Sequence, residues 1–550
     1  MKSRRPWLFV FFALMAGAGA LGWWSSSFGG LSPDGAFVLV EPWRIAGGDL
    51  PFRHEWHVSV FYGMFAAPAL WVYRKLFGSE AGIFLIMNRL IVVVWFAALL
   101  TVWSRWRKVN VLGASLGALA IALYPPWGGF SFGYNKLGVI TMMLAITFYA
   151  TAGVRRNVDL LLAGVFFACA AMCCPYLAVF FAVYFIFAAV KRRKELLKVS
   201  AGCAIVAAIA LTWLACKLSV ADISEALPCM FDDPQHPRPS LFILIRNIVA
   251  HLLFITHDLA VGHAILMGGV LFAICAAWAD ARRGQRALMH LVLISAPVLG
   301  LYVYYRVQPM VSLNPLMLLL PMTAAWAAAF LNRGGDDAVM IKALLPGFAY
   351  VAAISFASNM GLYAMSLAAE AMMVPAVVVI AVVLGRLGGG FAAVLICLMT
   401  VHMAILAEYT IMKPLMRDPA TVKIVQEGPN QGCKFSPSAA GTYAELYRDT
   451  AAIRGNDRVK NVLYLDHPNQ WLYLASDKGV GAYSSWLTGP GTNSLNRLKR
   501  YWEINPDKLP EAVFVTKKNR YLENILCERY GYEVEPLLSG NSILWKHGVK

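Results

Sequence analysis

Apolar runs of about 18 or more residues, the length an α-helix needs to cross a bilayer, recur through the first 410 residues. That feature narrows the fold more than any other. In lipid every backbone polar group has to be satisfied within its own segment, so such a chain becomes a bundle of spanning helices. Of the 550 residues, 59% are hydrophobic and 14% charged, more apolar surface than a soluble protein can hide. From residue 418 the hydropathy falls to that of a soluble protein. The β-rich runs at 461–465 and 512–516 and the helical patterns at 494–504 and 521–530 predict a small α/β domain there. The expected fold is a polytopic α-helical membrane protein of about 13 transmembrane helices, N-terminus inside, with a small external α/β domain at the C-terminus. The domains are 1–410 and 418–550.

A formal charge of +17 could suggest nucleic acid, but its placement argues otherwise. Residues 418–550 hold 17 basic and 14 acidic side chains, so most of the excess lies in the membrane part. It gathers in short loops at 2–5, 105–108, 155–156, 191–194, 281–286, 333–342 and 386. Short basic loops mark the cytoplasmic side, so the charge reads as topology. The first segment, basic then apolar then small, has the look of a signal peptide; it is expected to stay as the first span, at 7–27.

The spans expected next are 81–103, 110–124, 137–153, a short pair within 158–190, and 199–217. After an amphipathic piece and a span ending near 281, they continue at 287–304, 311–330, 339–357, 369–385 and 388–408. The apolar stretch 57–77 ends in Arg74-Lys75 and is expected to lie along the interface, so that 28–80 forms a first external loop with juxtamembrane helices. The external face then gathers that loop, the loops 125–136 and 218–240, the corner at Tyr305-Arg306 and the C-terminal domain.

The first loop carries Asp34, Glu41, Asp49 and Glu55 in a chain poor in acids. Carboxylates beside a bilayer either stay solvated or work on a substrate delivered there. Asp34 also suits a helix cap, Asp49 a turn in Gly-Gly-Asp-Leu-Pro, and Glu55 and His57 a plain polar loop. Arg89, Lys136 and Arg306 lie near external helix ends, where cations either anchor the helix or meet a phosphate. His251 and Asp258 are seven apart, on one helical face, and with His257 and His57 could line a polar cavity. Asp232, Asp233 and His236 on a proline-rich loop are too sparse for a metal site, and neither metal nor cofactor is expected. Of ten cysteines only Cys433 and Cys527 fall in the C-terminal domain, where an oxidising compartment would allow a disulfide or leave two thiols.

One pattern is more specific. After the first span come Asp-Gly-Ala-Phe at 34–37, Ile-Ala-Gly-Gly-Asp-Leu-Pro at 45–51, Leu-Phe-Gly closing a helix at 78, and Asn-Arg-Leu opening a span at 88. This order resembles polytopic glycosyltransferases of the GT-C type, in the bacterial branch related to protein mannosyltransferases and lipid A aminoarabinose transferases. The resemblance covers roughly residues 1–200. It implies a polyprenyl-phosphate sugar as donor, transfer on the external face with inversion, and Asp34 at the catalytic centre. Asp49 and Glu55 of the same loop are the candidates for a second acid. Asp34 would take the acceptor's proton. Arg89, Arg306 and Lys136 would stabilise the leaving phosphate. The aminoarabinose branch's lysine-proline-proline run is replaced by Arg53-His54-Glu55-Trp56-His57, so that acceptor is not implied. A bacterial cytoplasmic membrane is the expected location, and membrane lipids the expected surroundings. A lipid-linked substrate transporter and a non-catalytic scaffold remain the alternatives. The scarcity of acids within the spans argues against the transporter.

Overall fold

The computed structural model describes residues 5–28, 33–124, 130–231, 315–331, 340–358, 362–387, 422–465, 470–486, 492–517 and 521–549, with a few positions between 240 and 250 and Asn519. Arg306, His251, His257, Asp258, the 232–236 cluster and the expected span 388–408 lie outside these residues.

The membrane part opens with α1 (Arg5–Ser25), α2 (Pro33–Ala46), α3 (Val60–Phe77), α4 (Ile83–Trp106), α5 (Val111–Ala122) and α6 (Tyr134–Ala150). It continues with α7 (Arg156–Cys173), α8 (Leu177–Ala215), α9 (Val220–Phe231), α10 (Pro315–Leu331) and α11 (Leu345–Ala357). Helices α12 (Leu362–Ala369) and α13 (Met373–Leu387) meet at a 3₁₀ turn, Glu370–Met372. Among the described residues five stretches are long and apolar enough to cross a membrane: 8–25, 83–106, 156–173, 192–215 and 364–383. Shorter apolar helices at 111–122, 177–190 and 341–357 stand beside them. The α8 backbone leaves helical geometry at Arg192, which divides it into the two segments read separately from sequence.

Small residues bring the helices together. A Cβ on Gly113 or Gly117 of α5 would come within 2.7 or 2.9 Å of the Cα of Val378 or Val374 on α13. Gly164 of α7 and Gly202 of α8 meet backbone to backbone in the same way. Without a hydrophobic drive between helices in lipid, such close approach supplies the contact energy.

Helix α4 fixes the two ends of the bundle. At its start, the Gly82 and Phe84 amides donate to the carbonyls of Gly428 and Pro429 of the C-terminal domain. At its end, roughly 36 Å away by helical rise, Arg105 grips Asp159 through two bonds of 2.9 Å. Nearby, Glu195 takes ion pairs from Arg156 and from Lys342, the latter at 2.7 Å. Among the described residues Arg105, Arg156, Arg192 and Lys342 therefore gather in one layer at the end remote from the C-terminal domain.

Helix α3 does not run between those ends. Just before it, the Trp56 amide donates to the Tyr483 carbonyl at 2.8 Å. In its last turn Arg74 pairs with Asp477 at 2.6 Å. Both termini touch the same C-terminal domain, so α3 lies along it, with α2 packed against it.

The C-terminal domain pairs a short hairpin, β1 (Lys423–Ile424) with β2 (Lys434–Phe435), and a five-stranded sheet. The sheet comprises β3 (Asn461–Leu465), β4 (Gly479–Val480), β5 (Ala512–Val515), β6 (Tyr532–Pro536) and β7 (Ser542–Lys546), in the order β4-β3-β5-β7-β6. β3 is parallel to β4 and β5, while β7 runs antiparallel to β5 and β6. β3 and β5 are buried along their whole length, as strands covered on both faces must be. Helices 437–449, 451–454, 471–476, 492–504 and 521–530 complete the domain.

Candidate functional site

The segment between the first two apolar spans forms the candidate site. Asp34 lies in the first turn of α2; its side chain is outside the described residues. From Ala36 the helix turns a continuous buried run inward, and two charged residues travel with it, Glu41 and Arg44.

Arg44 is the centre of the loop. Its Nε donates to Asp49 at 2.8 Å and its Nη1 to Glu55 at 2.5 Å. Nη2 donates to the carbonyls of His54 at 2.8 Å and Ala482 at 3.3 Å. Ala482 belongs to the C-terminal domain, so a single guanidinium joins helix, loop and domain. Lys508 adds a second tie, at 2.5 Å to the other oxygen of Asp49. The Tyr501 hydroxyl donates to the His54 carbonyl at 3.1 Å, and the Asn505 amide group to Arg53 at 3.2 Å. Burial alone raises the Asp49 carboxyl, but Arg44 and Lys508 together bring it below its ordinary value. Burial, helped by Lys508 and Arg44, lowers the His54 imidazole to about 4, so it is neutral; its Nδ1 accepts from the Leu50 amide.

Asp49 thus pairs with Arg44 and Lys508, and Glu55 with Arg44. One expectation is corrected. Lys136 is not a cation at an open helix end. It is 1% exposed, 3.0 Å from Glu370 and bonded to the Tyr124 carbonyl, with Trp95 beneath its ammonium. Glu370 sits inside the apolar stretch 364–383. Cys433 and Cys527 are both free thiols, so no bridge joins them. His57 bonds Ser59 and meets the Phe37 ring edge-on. Arg89 does stand at the domain side of the bundle, stacked over Trp23 at 4.8 Å.

Glu41 is the fourth acid of this loop, and its sequence context alone suggests no role. It is fully buried, with the Ser59 hydroxyl beside it and no cation within 4.0 Å among the described residues. Gly63 of α3 leaves it room, since a Cβ there would meet the Glu41 Cγ at 3.0 Å. The signal was present: an acid inside the apolar run Ala36–Trp43 points where its neighbours point. Burial, then the neighbouring Glu55, push the Glu41 carboxyl well above its ordinary 4.5, against the pull of Ser59 and Arg44. Burial also raises Glu55, to about 7. Glu55 faces Arg44, so the proton of the pair belongs on Glu41.

A pH effect follows. The unfolded chain releases the Glu41 proton near 4.5, while the folded chain keeps it well above that pH. This contribution to stability is full below the unfolded value and is lost as the pH climbs toward the folded one. Glu41→Gln fixes the neutral form. Its unfolding temperature, relative to the parent, is expected to rise steadily between about pH 5 and pH 8. A difference that stays level across that range would remove the proton from Glu41.

Two solved structures resemble the chain in outline. One is the oligosaccharyltransferase of Archaeoglobus fulgidus, solved as a complex with Zn and sulfate. It is 13% identical, with a TM-score of 0.49, over 97% of this chain and 73% of that one. The other is ArnT from Cupriavidus metallidurans bound to undecaprenyl phosphate, 12% identical, with a TM-score of 0.42, over 99% of this chain and 98% of that one. No family model matches the chain, and no curated protein matches it.

Proposed function

We propose that the chain is a membrane glycosyltransferase. It moves a sugar from a polyprenyl-phosphate donor to an acceptor on the side of the membrane where the C-terminal domain lies. Inversion follows from direct attack of the acceptor on the anomeric carbon, with Asp34 taking the proton. A phosphate leaving group needs cations rather than an acid.

The observation that carries this reading is the construction of the first loop. The sequence pattern of the resemblance, Asp34 to Asn-Arg-Leu at 88–90, folds into two helices held flat under a soluble domain, with a buried arginine joining the parts. A loop that only connects two spans has no use for that network. The layer of Arg105, Arg156 and Lys342 at the far end supports an external C-terminal domain by the positive-inside rule, and a bacterial cytoplasmic membrane fits both.

The test is transfer from a radiolabelled polyprenyl-phosphate sugar by the full-length protein in detergent. Asp34→Asn is expected to lower turnover by at least about a hundredfold, the usual contribution of a general base, with the unfolding temperature unchanged. Full activity in that variant, with the same donor and acceptor, removes Asp34 as the base.

A further inference from the structure

We propose that Glu41 and Ser59 are positioning residues for His57. A hydrogen-bond chain runs from the Glu41 carboxyl through the Ser59 hydroxyl to the His57 ring, and holds that ring with its proton on Nε2, one turn of α2 from Asp34. The chain stands on the geometry of the loop; its service to sugar transfer rests on the transferase reading.

Counting donors gives the chain its direction. The Ser59 amide meets His57 Nδ1 at 3.2 Å. A backbone N–H can only donate, so Nδ1 accepts and the neutral ring carries its proton on Nε2. The Ser59 hydroxyl lies 2.5 Å from the same nitrogen. It too must donate there, because Nδ1 has no proton to give. A hydroxyl has one proton, and this one is spent on His57. What Ser59 offers the Glu41 carboxyl beside it is therefore a lone pair, and only a protonated carboxyl can use that. The donor count puts a proton on Glu41 independently of its burial, and gives that proton a use.

The other groups around Glu41 are already engaged. Glu55 and Arg44 are the charged groups that face it, and they pair with each other at 2.5 Å. Tyr62, also close to Glu41, spends its hydroxyl proton on the Val38 carbonyl at 2.8 Å. The Glu55 carboxyl accepts the His57 amide as well, which ties the ring's own backbone to the same network.

The place of the ring gives its tautomer a consequence. His57 meets Phe37 edge-on at 5.0 Å, and Phe37 meets Trp486 of the C-terminal domain at 5.0 Å. Phe37 follows Asp34 by three residues on α2, so the two positions share a face. Helix, loop and domain thus meet within a turn of Asp34, and the imidazole there is oriented from the buried side. Ionisation of Glu41 would turn the chain around. The carboxylate would draw the Ser59 proton, and Nδ1 would keep the amide alone. That step comes well above the ordinary carboxyl range, because burial raises Glu41.

Magic-angle-spinning NMR of the full-length protein in lipid bilayers, with isotope-labelled histidine, reads the tautomer, and His57→Gln assigns the signals. Nδ1 without a proton and Nε2 with one are expected, with an Nδ1 shift that steps as rising pH ionises Glu41. The step should vanish in Glu41→Gln, which cannot ionise, and in Ser59→Ala, which breaks the chain. Ser59→Thr should restore it. A proton on Nδ1, or a step that persists in Glu41→Gln, overturns the chain. In the transfer assay Ser59→Ala is expected to lower kcat by about tenfold or more with little change in KM, since an imidazole that loses its orienting partner loses its correct tautomer. Ser59→Thr should recover most of the rate. Unchanged turnover in Ser59→Ala, at the parent's unfolding temperature, overturns the positioning role. The two readings fail separately. A parent with the expected tautomer and step but no sugar transfer defeats the transferase reading alone. Transfer that depends on Asp34, with a step that persists in Glu41→Gln, defeats the chain alone.

Discussion

Arg44→Met is expected to cost about 3–5 kcal/mol of stability, the usual result of removing one partner from a buried ion pair. The reason lies in what stays behind. Asp49 keeps Lys508 at 2.5 Å, but Glu55 loses the only cation that touches it among the described residues. A 1% exposed carboxylate would then face Glu41, which is itself buried. The carbonyls of His54 and Ala482 would lose their donor as well. Because Ala482 lies in the C-terminal domain, the loss should loosen docking as well as the loop. Limited proteolysis should release the domain from the variant at protease levels that leave the parent intact. Arg44→Lys keeps the charge but cannot reach Asp49, Glu55 and two carbonyls at once, so it should fall between. Arg44→Met combined with Asp49→Asn and Glu55→Gln should recover much of the loss, since the stranded charges go with it. If Arg44→Met unfolds at the parent temperature and resists protease equally, the guanidinium is not what joins loop to domain.

The layout was more legible in the sequence than the site. Span length, loop charge and the drop in hydropathy near 418 act locally, so α1, α4 and α7 follow from composition alone. Strands β3 and β5 and the helices at 492–504 and 521–530 fall where periodicity and turn residues put them. The apolar stretch closed by Arg74-Lys75 was legible as a helix, α3. Partners across the fold were not. Arg44 meets Ala482, Asp49 meets Lys508, and Lys136 meets Glu370 over separations of hundreds of residues that no local pattern encodes. A lysine at a helix start reads the same whether its ammonium faces water or a buried carboxylate. The acids of the loop stood out because acids are rare in this chain. Rarity, however, does not separate an acid that works on a substrate from one that holds an arginine.

Lys136 and Glu370 give the second large effect, and here the single and double changes should part company. Lys136→Met leaves Glu370, 0% exposed, inside an apolar stretch with no other cation within 4.0 Å among the described residues. Its second oxygen has no partner even now. The single change is expected to cost about 3–5 kcal/mol, and Glu370→Met a similar amount, since it strands an ammonium between Trp95 and the Tyr124 carbonyl. Lys136→Met with Glu370→Met removes both desolvated charges and keeps most of the packing volume. That pair should unfold within about 1 kcal/mol of the parent or above it, because a buried ion pair often adds nothing over well-packed apolar groups. Thermal unfolding of all four proteins in one detergent closes the cycle. The comparison matters for function, because ionisable groups within a span are costly and commonly kept for what they do. A double variant that is as stable as the parent but slow in sugar transfer would tie the pair to the reaction. Equal stability with equal activity would leave it holding the 3₁₀ turn at Glu370–Met372 against α6. Additive losses, with the double variant the least stable, would mean that the two side chains do not act as a pair.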